Sequence, residues 1–340
     1  MNISSTQPAR KRSLFKPALT RLFAAFVNLY ALAILIYIGA QLLNVTVVAE
    51  LGSNFMPPAL LVALPLMLFS LLLGRRVQML LLLPIIAYFA IHYGAFFIPR
   101  TAAAAPDTPR LTVLTYNLHG ETDDFEPIID IIRAADADIV ALQELTTPAE
   151  TRFAAEFTTE YPHQLTFAIG ASVVGQGVLS RYPLSNGDYW EVGLGNIRVE
   201  VAWEAATITL YDVHPPPPSL RTGLNAAGRS AAIDALLERL TSEDSVLIVT
   251  GDFNMTAEAD DYARLTQGAT LRDAFRESGS GLGPTFPNMQ FGGSFWSYIP
   301  PLFRIDYVFY SQPFRAVEAR VWHTHGGSDH YPVLATLVLE

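Results

Sequence analysis

The sequence predicts a layered α/β domain that follows three transmembrane helices. Three observations lead to this prediction. The chain has 340 residues and a mean hydropathy of +0.28, its longest apolar runs all lie before residue 100, and short strand-like and helical patterns alternate after residue 110. A chain of this length exceeds the ~150 residues typical of one domain, which favours two parts of different character.

Three long apolar runs occupy the first part, at residues 22–43, 57–73 and 77–98. Each approaches the ~20 residues that a helix needs to cross a bilayer. A cleavable signal peptide is an alternative for the first run, but its apolar stretch is longer than the ~7–15 residues of a signal core. Buried helices of a soluble protein are another alternative, but three such spans with short polar loops would leave little surface for water. We therefore expect three transmembrane helices.

The orientation of these helices follows from the positions of Lys and Arg, which are retained on the cytoplasmic side. Basic residues precede the first run, Arg75 and Arg76 lie in the second loop, and the first loop, residues 44–55, has none. This pattern predicts a multi-pass protein of the plasma membrane with its C-terminal domain outside the cytoplasm. The predicted parts are a cytoplasmic N-terminus, a membrane anchor, a linker and a folded domain at residues 1–21, 22–98, 99–109 and 110–340.

The C-terminal part is strongly acidic. Residues 107–340 contain 14 arginines, no lysine and 31 acidic residues, which gives a formal charge of −17. Nucleic-acid binding depends on many Lys and Arg contacts to phosphates, so this charge argues against a nucleic-acid partner. It leaves a small phosphate ester open, because a metal ion and a few basic groups suffice to bind one.

Short runs rich in branched and aromatic residues predict strands in the second part. The predicted strands are 111–117, 139–144, 177–180, 197–203, 207–214, 246–252, 305–310, 316–323 and 333–340. Helical periodicity predicts helices at 125–134, 148–160, 222–240 and 258–266. Strands interspersed with helices indicate a layered α/β architecture.

Polar side chains recur where the predicted strands end, at Asn117, Glu144, His214, Asp252 and Asn254. In open α/β sheets the carboxyl ends of the strands are where ligands bind. Several carboxylates at one edge repel one another unless a cation neutralises them. Carboxylate and amide oxygens without cysteine favour a hard ion, so we expect Mg²⁺, with Mn²⁺ as the alternative.

Seven motifs together resemble the endonuclease/exonuclease/phosphatase superfamily, and the resemblance covers roughly residues 110–340. In chain order they are Thr115-Tyr116-Asn117-Leu118-His119-Gly120, Leu142-Gln143-Glu144, Leu179-Ser180-Arg181-Tyr182-Pro183, Val213-His214, Gly251-Asp252-Phe253-Asn254, Arg304-Ile305-Asp306-Tyr307-Val308 and Ser328-Asp329-His330. The resemblance implies a four-layer α/β sandwich with two packed sheets. It also implies that Glu144 is the principal Mg²⁺ ligand, with Asn117 and Asp329 near the metal or its waters.

The same resemblance implies the catalytic roles. Asp252 would orient and deprotonate the attacking water, and Asn254 and His214 would hold phosphoryl oxygens. His330 would stabilise the charge that develops on phosphorus, with Asp306 fixing its ring. This agrees with the chemistry of phosphoryl transfer, which chiefly needs positioning and charge stabilisation.

Of two arginines that follow His214, Arg221 directly precedes the predicted helix 222–240 and Arg229 lies within it. Arg221 and Arg229, with Asn117, complete the expected phosphate contacts, although a solvated helix end explains the arginines equally well. The residue three after Arg229 is Ala232, where relatives often have Gln, so the correspondence with the family is imperfect at this point.

The anchor and the motif set together resemble bacterial membrane-anchored phosphatases related to the teicoplanin-resistance proteins. The resemblance implies a Mg²⁺-dependent phosphohydrolase that acts outside the cytoplasm on a phosphorylated lipid such as undecaprenyl pyrophosphate. One alternative is a membrane-tethered extracytoplasmic nuclease or phosphodiesterase. Another is a non-catalytic receptor for a phosphorylated ligand, which predicts a lost residue in a motif set that is complete here.

Overall fold

The computed structural model describes residues 15–43, 54–98, 105, 107–218, 226–288 and 300–339. The basic N-terminus, most of the first loop and Arg221 lie outside these residues. The chain divides into two compact units, which are Met1–Ala49 with Met56–His92, and Glu50–Phe55 with Tyr93–Glu340.

The first unit is helical and apolar. Its helices are Phe15–Leu42, Met56–Leu61, Ala63–Leu72 and Arg76–Tyr93, and a 3-10 turn, Gly94–Phe97, continues the last of them into the second unit. Two stretches, Ala18–Leu42 and Arg76–Phe97, are long and apolar enough to cross a membrane by length and composition.

The middle apolar run differs from the prediction of one continuous span. It forms two shorter helices that meet at Val62. Val62 keeps a helical backbone, with φ −59° and ψ −25°, and Pro65 has no N–H to donate to the carbonyl of Leu61, where the first helix ends. The apolar helical stretch Met56–Leu72 is shorter than the two candidate spans, so a third span is not confirmed.

Polar side chains link the helices within this unit. Gln78 Nε2 donates to Asn28 Oδ1 at 3.0 Å, and the Tyr30 hydroxyl donates to the Ala59 carbonyl at 2.8 Å. Leucines such as Leu22, Leu29 and Leu80 point outward and are exposed. The unit therefore has an apolar outer surface and polar contacts between its helices.

The second unit contains two six-stranded sheets. The first has the order β11-β12-β1-β2-β4-β3 and comprises β1 (Arg110–Asn117), β2 (Ile139–Gln143), β3 (His163–Phe167), β4 (Gln176–Ser180), β11 (Phe314–Val321) and β12 (Val333–Leu339). The second has the order β5-β6-β7-β8-β10-β9 and comprises β5 (Leu184–Val192), β6 (Leu194–Trp203), β7 (Ala206–Val213), β8 (Val246–Asp252), β9 (Arg272–Asp273) and β10 (Asp306–Tyr310).

Alternation along the strands builds the layers. In β1, Val113 packs with residues of the other sheet such as Ile208, whereas Leu114 packs with Ile128 of an outer helix. Successive residues of a strand point to opposite faces, so one strand serves two cores.

The described helices of this unit are Glu126–Ala135 and Thr147–Glu156, which pack on the first sheet, Ala227–Thr241 and Asp260–Gly268, which pack on the second, and the short Ala274–Ser278. The prediction of two packed sheets in an α/β sandwich is confirmed.

The sequence analysis did not predict three of the described strands, β3, β5 and β9. Every residue of β3 is half-buried, so it lacks the contrast between buried and exposed positions that marks a strand. In β5 the register shifts between Ser185 and Asp188, and Asn186 adopts a φ of 50°. Such an irregularity interrupts the period of two on which strand prediction depends.

The sheet topology brings the ends of several strands to one edge. β1 and β2 are parallel, as are β7 and β8, so each pair ends on the same side. β10 runs antiparallel to β8 and pairs Asp306 with Asp252, and β12 runs antiparallel to β1. Residues that end the parallel strands therefore lie beside residues that begin β10 and β12.

Candidate active site

Asp252 lies at the centre of the side chains that meet at this edge, and it is almost fully buried. Its Oδ1 accepts a hydrogen bond from the Asn254 backbone N–H at 2.9 Å. Its Oδ2 lies 3.1 Å from Asn117 Nδ2, 3.4 Å from His214 Nε2 and 3.6 Å from His330 Nε2. Four segments of the chain therefore converge on one carboxylate.

His330 lies between two buried carboxylates. Its Nδ1 is 2.9 Å from Asp306 Oδ2, and its Nε2 faces Asp252. Burial lowers the pKa of His330, but the charges of Asp306 and Asp252 outweigh burial and raise that pKa to about 10. Burial alone would raise the pKa of Asp252, whereas the charge of His330 and the hydrogen bond from His214 bring it below its usual value. At neutral pH the geometry thus favours an imidazolium beside an ionised Asp252.

Glu144 is fixed at the end of β2 by two donors. The Gly120 N–H donates to Oε2 at 2.8 Å, and Asn117 Nδ2 donates to Oε1 at 3.2 Å. Glu144 itself adopts a φ of 57°, in the left-handed region that non-glycine residues rarely occupy. Backbone strain of this kind is concentrated at functional sites, where it aims a side chain.

Asp329 lies at the edge of the site and is paired with His119 at 3.3 Å. Burial raises the pKa of Asp329, but the hydrogen bond from His119 and the charge of His330 outweigh burial and lower it. The sequence assigned no role to His119, and the one signal for it was its position two residues after Asn117. The structure adds His119 to the residues that surround the site.

Gln143, which directly precedes Glu144, belongs to a buried network of hydrogen-bonded side chains. Gln143 Nε2 donates to Asp212 Oδ1 at 2.6 Å and to Thr115 Oγ1 at 3.1 Å. Burial raises the pKa of Asp212, which faces Gln143 of the other sheet, well above its ordinary value. The sequence did not indicate this role, because Asp212 and Gln143 lie in different sheets.

The donor set fits a divalent cation. Asp252, Asp306 and His330 offer ligand atoms within 4.8 Å of one another and could hold an ion. The carboxylates of Glu144 and Asp329 are more accessible than these, with 16% and 27% of their side chains exposed. Oxygen ligands of this kind suit Mg²⁺ or Mn²⁺, and the assignment of Mg²⁺ to Glu144, Asn117 and Asp329 stays a prediction.

Asn117 holds two carboxylates at once. Its Oδ1 accepts from the His119 N–H at 2.9 Å, which directs its amide donors toward Glu144 and Asp252. In Asn117→Ala we expect the affinity for a divalent ion to fall about 10–100-fold, the usual cost of losing a group that orients metal ligands. Isothermal titration with Mn²⁺ measures this, and Gln164→Ala, which removes an amide that donates to the Tyr161 carbonyl, is the control. Unchanged affinity in Asn117→Ala would contradict this role.

Arg229 and Asn254, which the sequence predicts to contact phosphate, form hydrogen bonds within the protein. The Arg229 guanidinium is buried, pairs with Asp261 at 2.9 Å and donates to the Asn254 carbonyl at 2.9 Å. Asn254 Nδ2 donates to the Pro215 carbonyl at 3.0 Å. Arg229 therefore supports the backbone of Asn254, and its phosphate contact stays a prediction, as does that of Arg221 outside the described residues.

Residues to which the sequence analysis gave no role hold Asn117, Asp306 and His330 in place. Ser328 Oγ donates to the Asn117 carbonyl at 2.7 Å and accepts from the His330 N–H at 3.0 Å. Thr285 Oγ1 accepts from the Asp306 N–H at 3.4 Å, and the Phe286 ring lies 4.8 Å from the His330 ring. Motif recognition alone could find Ser328, whereas Thr285 and Phe286 become neighbours only through folding.

Comparison with known proteins finds a matching family and structures of similar fold. The sequence profile of the endonuclease/exonuclease/phosphatase family matches residues 114–330, more than half of the chain. The fold is similar to an endonuclease/exonuclease/phosphatase from Beutenbergia cavernae, at 20% identity and a TM-score of 0.53 over 68% of this chain and 72% of that one. It is also similar to a family protein from Bacteroides thetaiotaomicron, at 18% identity and a TM-score of 0.52 over 69% of this chain and 99% of that one.

A third similar structure is that of TDP2 from D. rerio in complex with a single-strand DNA product. It is 16% identical, with a TM-score of 0.55 over 67% of this chain and 98% of that one. Comparison with curated protein sequences gives no match. At these identities the structural likeness establishes the fold.

Proposed function

Because this chain belongs to the endonuclease/exonuclease/phosphatase family, we propose that it is a divalent-metal-dependent phosphohydrolase that acts on a lipid-linked phosphoester or pyrophosphate. Members of this family are typically metal-dependent phosphoester hydrolases, and the family includes both phosphatases and nucleases. The observation that carries the proposal is the buried carboxylate of Asp252, held between Asn117, His214 and His330.

The geometry around Asp252 suits general-base catalysis. Its lowered pKa keeps it ionised at neutral pH, so it can take a proton from a water molecule as that water attacks phosphorus. The phosphorus–oxygen bond to the leaving group then breaks, and the leaving oxygen keeps the bonding electron pair. His330 is charged and is held by Asp306, and its Nε2 lies 3.6 Å from Asp252 Oδ2. It stabilises negative charge on the phosphoryl oxygens.

The remaining groups orient the substrate. His214 Nε2 lies 4.0 Å from Glu144 Oε1 as well as near Asp252, so a phosphoryl group bound between them meets a donor. A divalent ion held by Glu144 and Asp329 would act as a Lewis acid toward a phosphoryl oxygen. We infer that Mg²⁺ is this ion.

The apolar rim of the site, formed by Ile169 and Val173, supports a lipid substrate. In the described part of the chain after residue 107, the exposed large hydrophobic side chains are Ile169 and Val173. Val173 lies against Gly120, whose N–H holds Glu144, and the turn is closed by a hydrogen bond from the Ser172 N–H to the Ile169 carbonyl at 2.9 Å. Apolar side chains exposed beside a polar site suit a ligand with an apolar part.

The helical part of the chain supports a membrane location. Two helices qualify as spans by length and composition, and their outward side chains are apolar. We propose that residues 22–98 form a membrane anchor, with residues 1–21 in the cytoplasm and the catalytic domain, residues 110–340, outside it after a linker at 99–109. The charge of the short flanks is the basis for this orientation.

A nuclease is the second candidate. The similar TDP2 structure contains a single-strand DNA product, so nucleic acid stays a candidate substrate in spite of the acidic charge of the domain. That charge still disfavours a long polyanion, because duplex binding depends on contacts from many basic side chains. The lipid phosphate therefore remains the leading proposal.

The decisive test compares substrates for the purified full-length protein in detergent. We expect phosphate release from undecaprenyl pyrophosphate with Mg²⁺, no release with EDTA, and much slower cleavage of single-stranded DNA. Efficient DNA cleavage without lipid hydrolysis would replace the proposal with the nuclease. A protein inactive on all phosphoesters would overturn the proposed activity itself.

The apolar rim makes a separate prediction. In the double variant Ile169→Ser/Val173→Ser we expect kcat/KM for the lipid in vesicles to fall about 30-fold, because partial burial of each side chain contributes on the order of 1 kcal/mol, or about 2 kcal/mol together. Hydrolysis of a soluble phosphodiester should be unchanged. The matched control, Ile169→Val/Val173→Ile, keeps the rim apolar and should retain activity on both substrates. Equal losses on both substrates in the serine variant would contradict a role in lipid binding.

A further inference from the structure

We propose that Asn54 and Phe55, which immediately precede helix Met56–Leu61, are positioning residues for the catalytic site. This inference rests on the proposed hydrolase activity and is independent of which phosphoester is the substrate. Both residues belong to the same compact unit as the catalytic domain, although they lie far from its motifs in the sequence.

Phe55 packs against a wall beside His330, which consists of residues 285–288 and Phe303. Its ring meets the Phe303 ring edge-on, with a centroid distance of 5.2 Å and an interplanar angle of 89°. Phe303 is tied to Phe286 by paired backbone hydrogen bonds of 2.9 and 2.8 Å, and the Phe286 ring lies 4.8 Å from that of His330. Two aromatic residues therefore separate Phe55 from the catalytic imidazole.

Asn54 makes a second contact, to the loop that carries Asn254. Its Oδ1 accepts from Thr256 Oγ1 at 2.8 Å, and Thr256 lies two residues after Asn254 in the loop that follows Asp252. Tyr307 also contacts that loop, because its hydroxyl donates to the Met255 carbonyl at 3.1 Å. Neighbouring residues of one short segment thus contact both the loop of Asp252 and the wall beside His330.

The wall is also joined to the segment that carries His330. The Asn288 N–H donates to the Asp329 carbonyl at 2.6 Å, and the Tyr331 N–H donates to the Thr285 carbonyl at 2.9 Å. A shift of Phe303 would therefore move Phe286 and the backbone on both sides of His330. Catalysis is sensitive to such shifts, because displacement of a catalytic group by about 1 Å can cost on the order of 100-fold in rate.

The test is Phe55→Ala in the full-length protein, with a soluble phosphodiester as substrate. We expect kcat to fall roughly 2–10-fold with little change in KM, which corresponds to the loss of one aromatic pair. Phe55→Tyr keeps the ring contact and should restore kcat. Because Phe55 is 54% exposed, its truncation should leave the fold intact.

Phe97→Ala is the matched control. Phe97 has a similar exposure of 48%, and it lies beside Gly281 at the end of the other apolar stretch. We expect kcat to stay within about twofold of wild type, as is usual for an exposed side chain. In the double variant Phe55→Ala/Phe303→Ala the losses should be less than additive, because both substitutions break the same contact.

Hydrogen–deuterium exchange provides a readout that does not depend on turnover. In Phe55→Ala we expect faster exchange at residues 285–288 and 329–331, whose backbone hydrogen bonds join the wall to the His330 segment. Wild-type kcat with unchanged exchange, or an effect equal to that of Phe97→Ala, would overturn the inference. If wild-type protein hydrolysed no phosphoester, the proposed function would fail, and the exchange experiment would still decide whether Phe55 orders this wall.

Discussion

Asp252→Asn is expected to lower kcat by roughly 10²–10⁴-fold, the usual contribution of a general base. The substitution keeps the size of the side chain and its acceptor for the Asn254 N–H, but it removes the charge that accepts a proton. KM should change far less than kcat, because the lost interaction belongs to the transition state. Initial rates on a soluble phosphodiester with saturating Mg²⁺ measure both constants.

Asp124→Asn is the control for this experiment, because Asp124 is an exposed carboxylate. It should keep the wild-type rate. Urea denaturation of both variants separates loss of catalysis from loss of folding. An Asp252→Asn protein that is folded and retains more than about a tenth of the wild-type kcat would rule out Asp252 as the base.

The free energy of unfolding is expected to fall by a few kcal/mol between pH 6.5 and 9.5, since one pKa unit corresponds to about 1.36 kcal/mol. In the folded protein the pKa of buried His330 is raised to about 10, whereas the unfolded chain binds the same proton with a pKa of about 6.5. A group whose pKa is raised on folding contributes its full stabilisation below the unfolded pKa and loses it as pH rises toward the folded pKa. Asp252 and Asp306 are ionised in the unfolded chain throughout this range, so they do not reverse the sign.

Urea midpoints measured in EDTA at several pH values test this dependence. In His330→Gln the slope between pH 6.5 and 9.5 should become much shallower, whereas His323→Gln, which changes an exposed histidine, should keep the wild-type slope. The His330 ring resonances of the wild type should show no titration below pH 9. A His330 that titrates near pH 6.5 would contradict the charged imidazolium.

Local patterns in the sequence were enough to predict nine of the twelve strands in the described part of the chain, because those strands alternate or carry buried branched residues. Local patterns did not predict β3, whose residues are all half-buried, or β5, whose register shifts within the strand. Neither strand has a regular alternation of buried and exposed residues. For the middle apolar run, composition suggested a third span, which is not confirmed, because the apolar helical stretch Met56–Leu72 is shorter than the two candidate spans.

The motif residues were found in the sequence because phosphoryl transfer requires specific side chains, and those stand at the ends of predictable strands. Their roles remain predictions. The geometry that relates them came from the sheets, since the parallel pairs β1–β2 and β7–β8 end at one edge.

By itself, then, the sequence determined the chemical groups of the site, the family and the apolar character of the first part of the chain. Only the tertiary structure decided that Arg229 pairs with Asp261, that His119 pairs with Asp329 and that Phe55 lies against the wall beside His330. These contacts join residues from separate segments whose side chains are individually unremarkable. Their energies depend on burial and on distance, and both are set by packing, which no local pattern records.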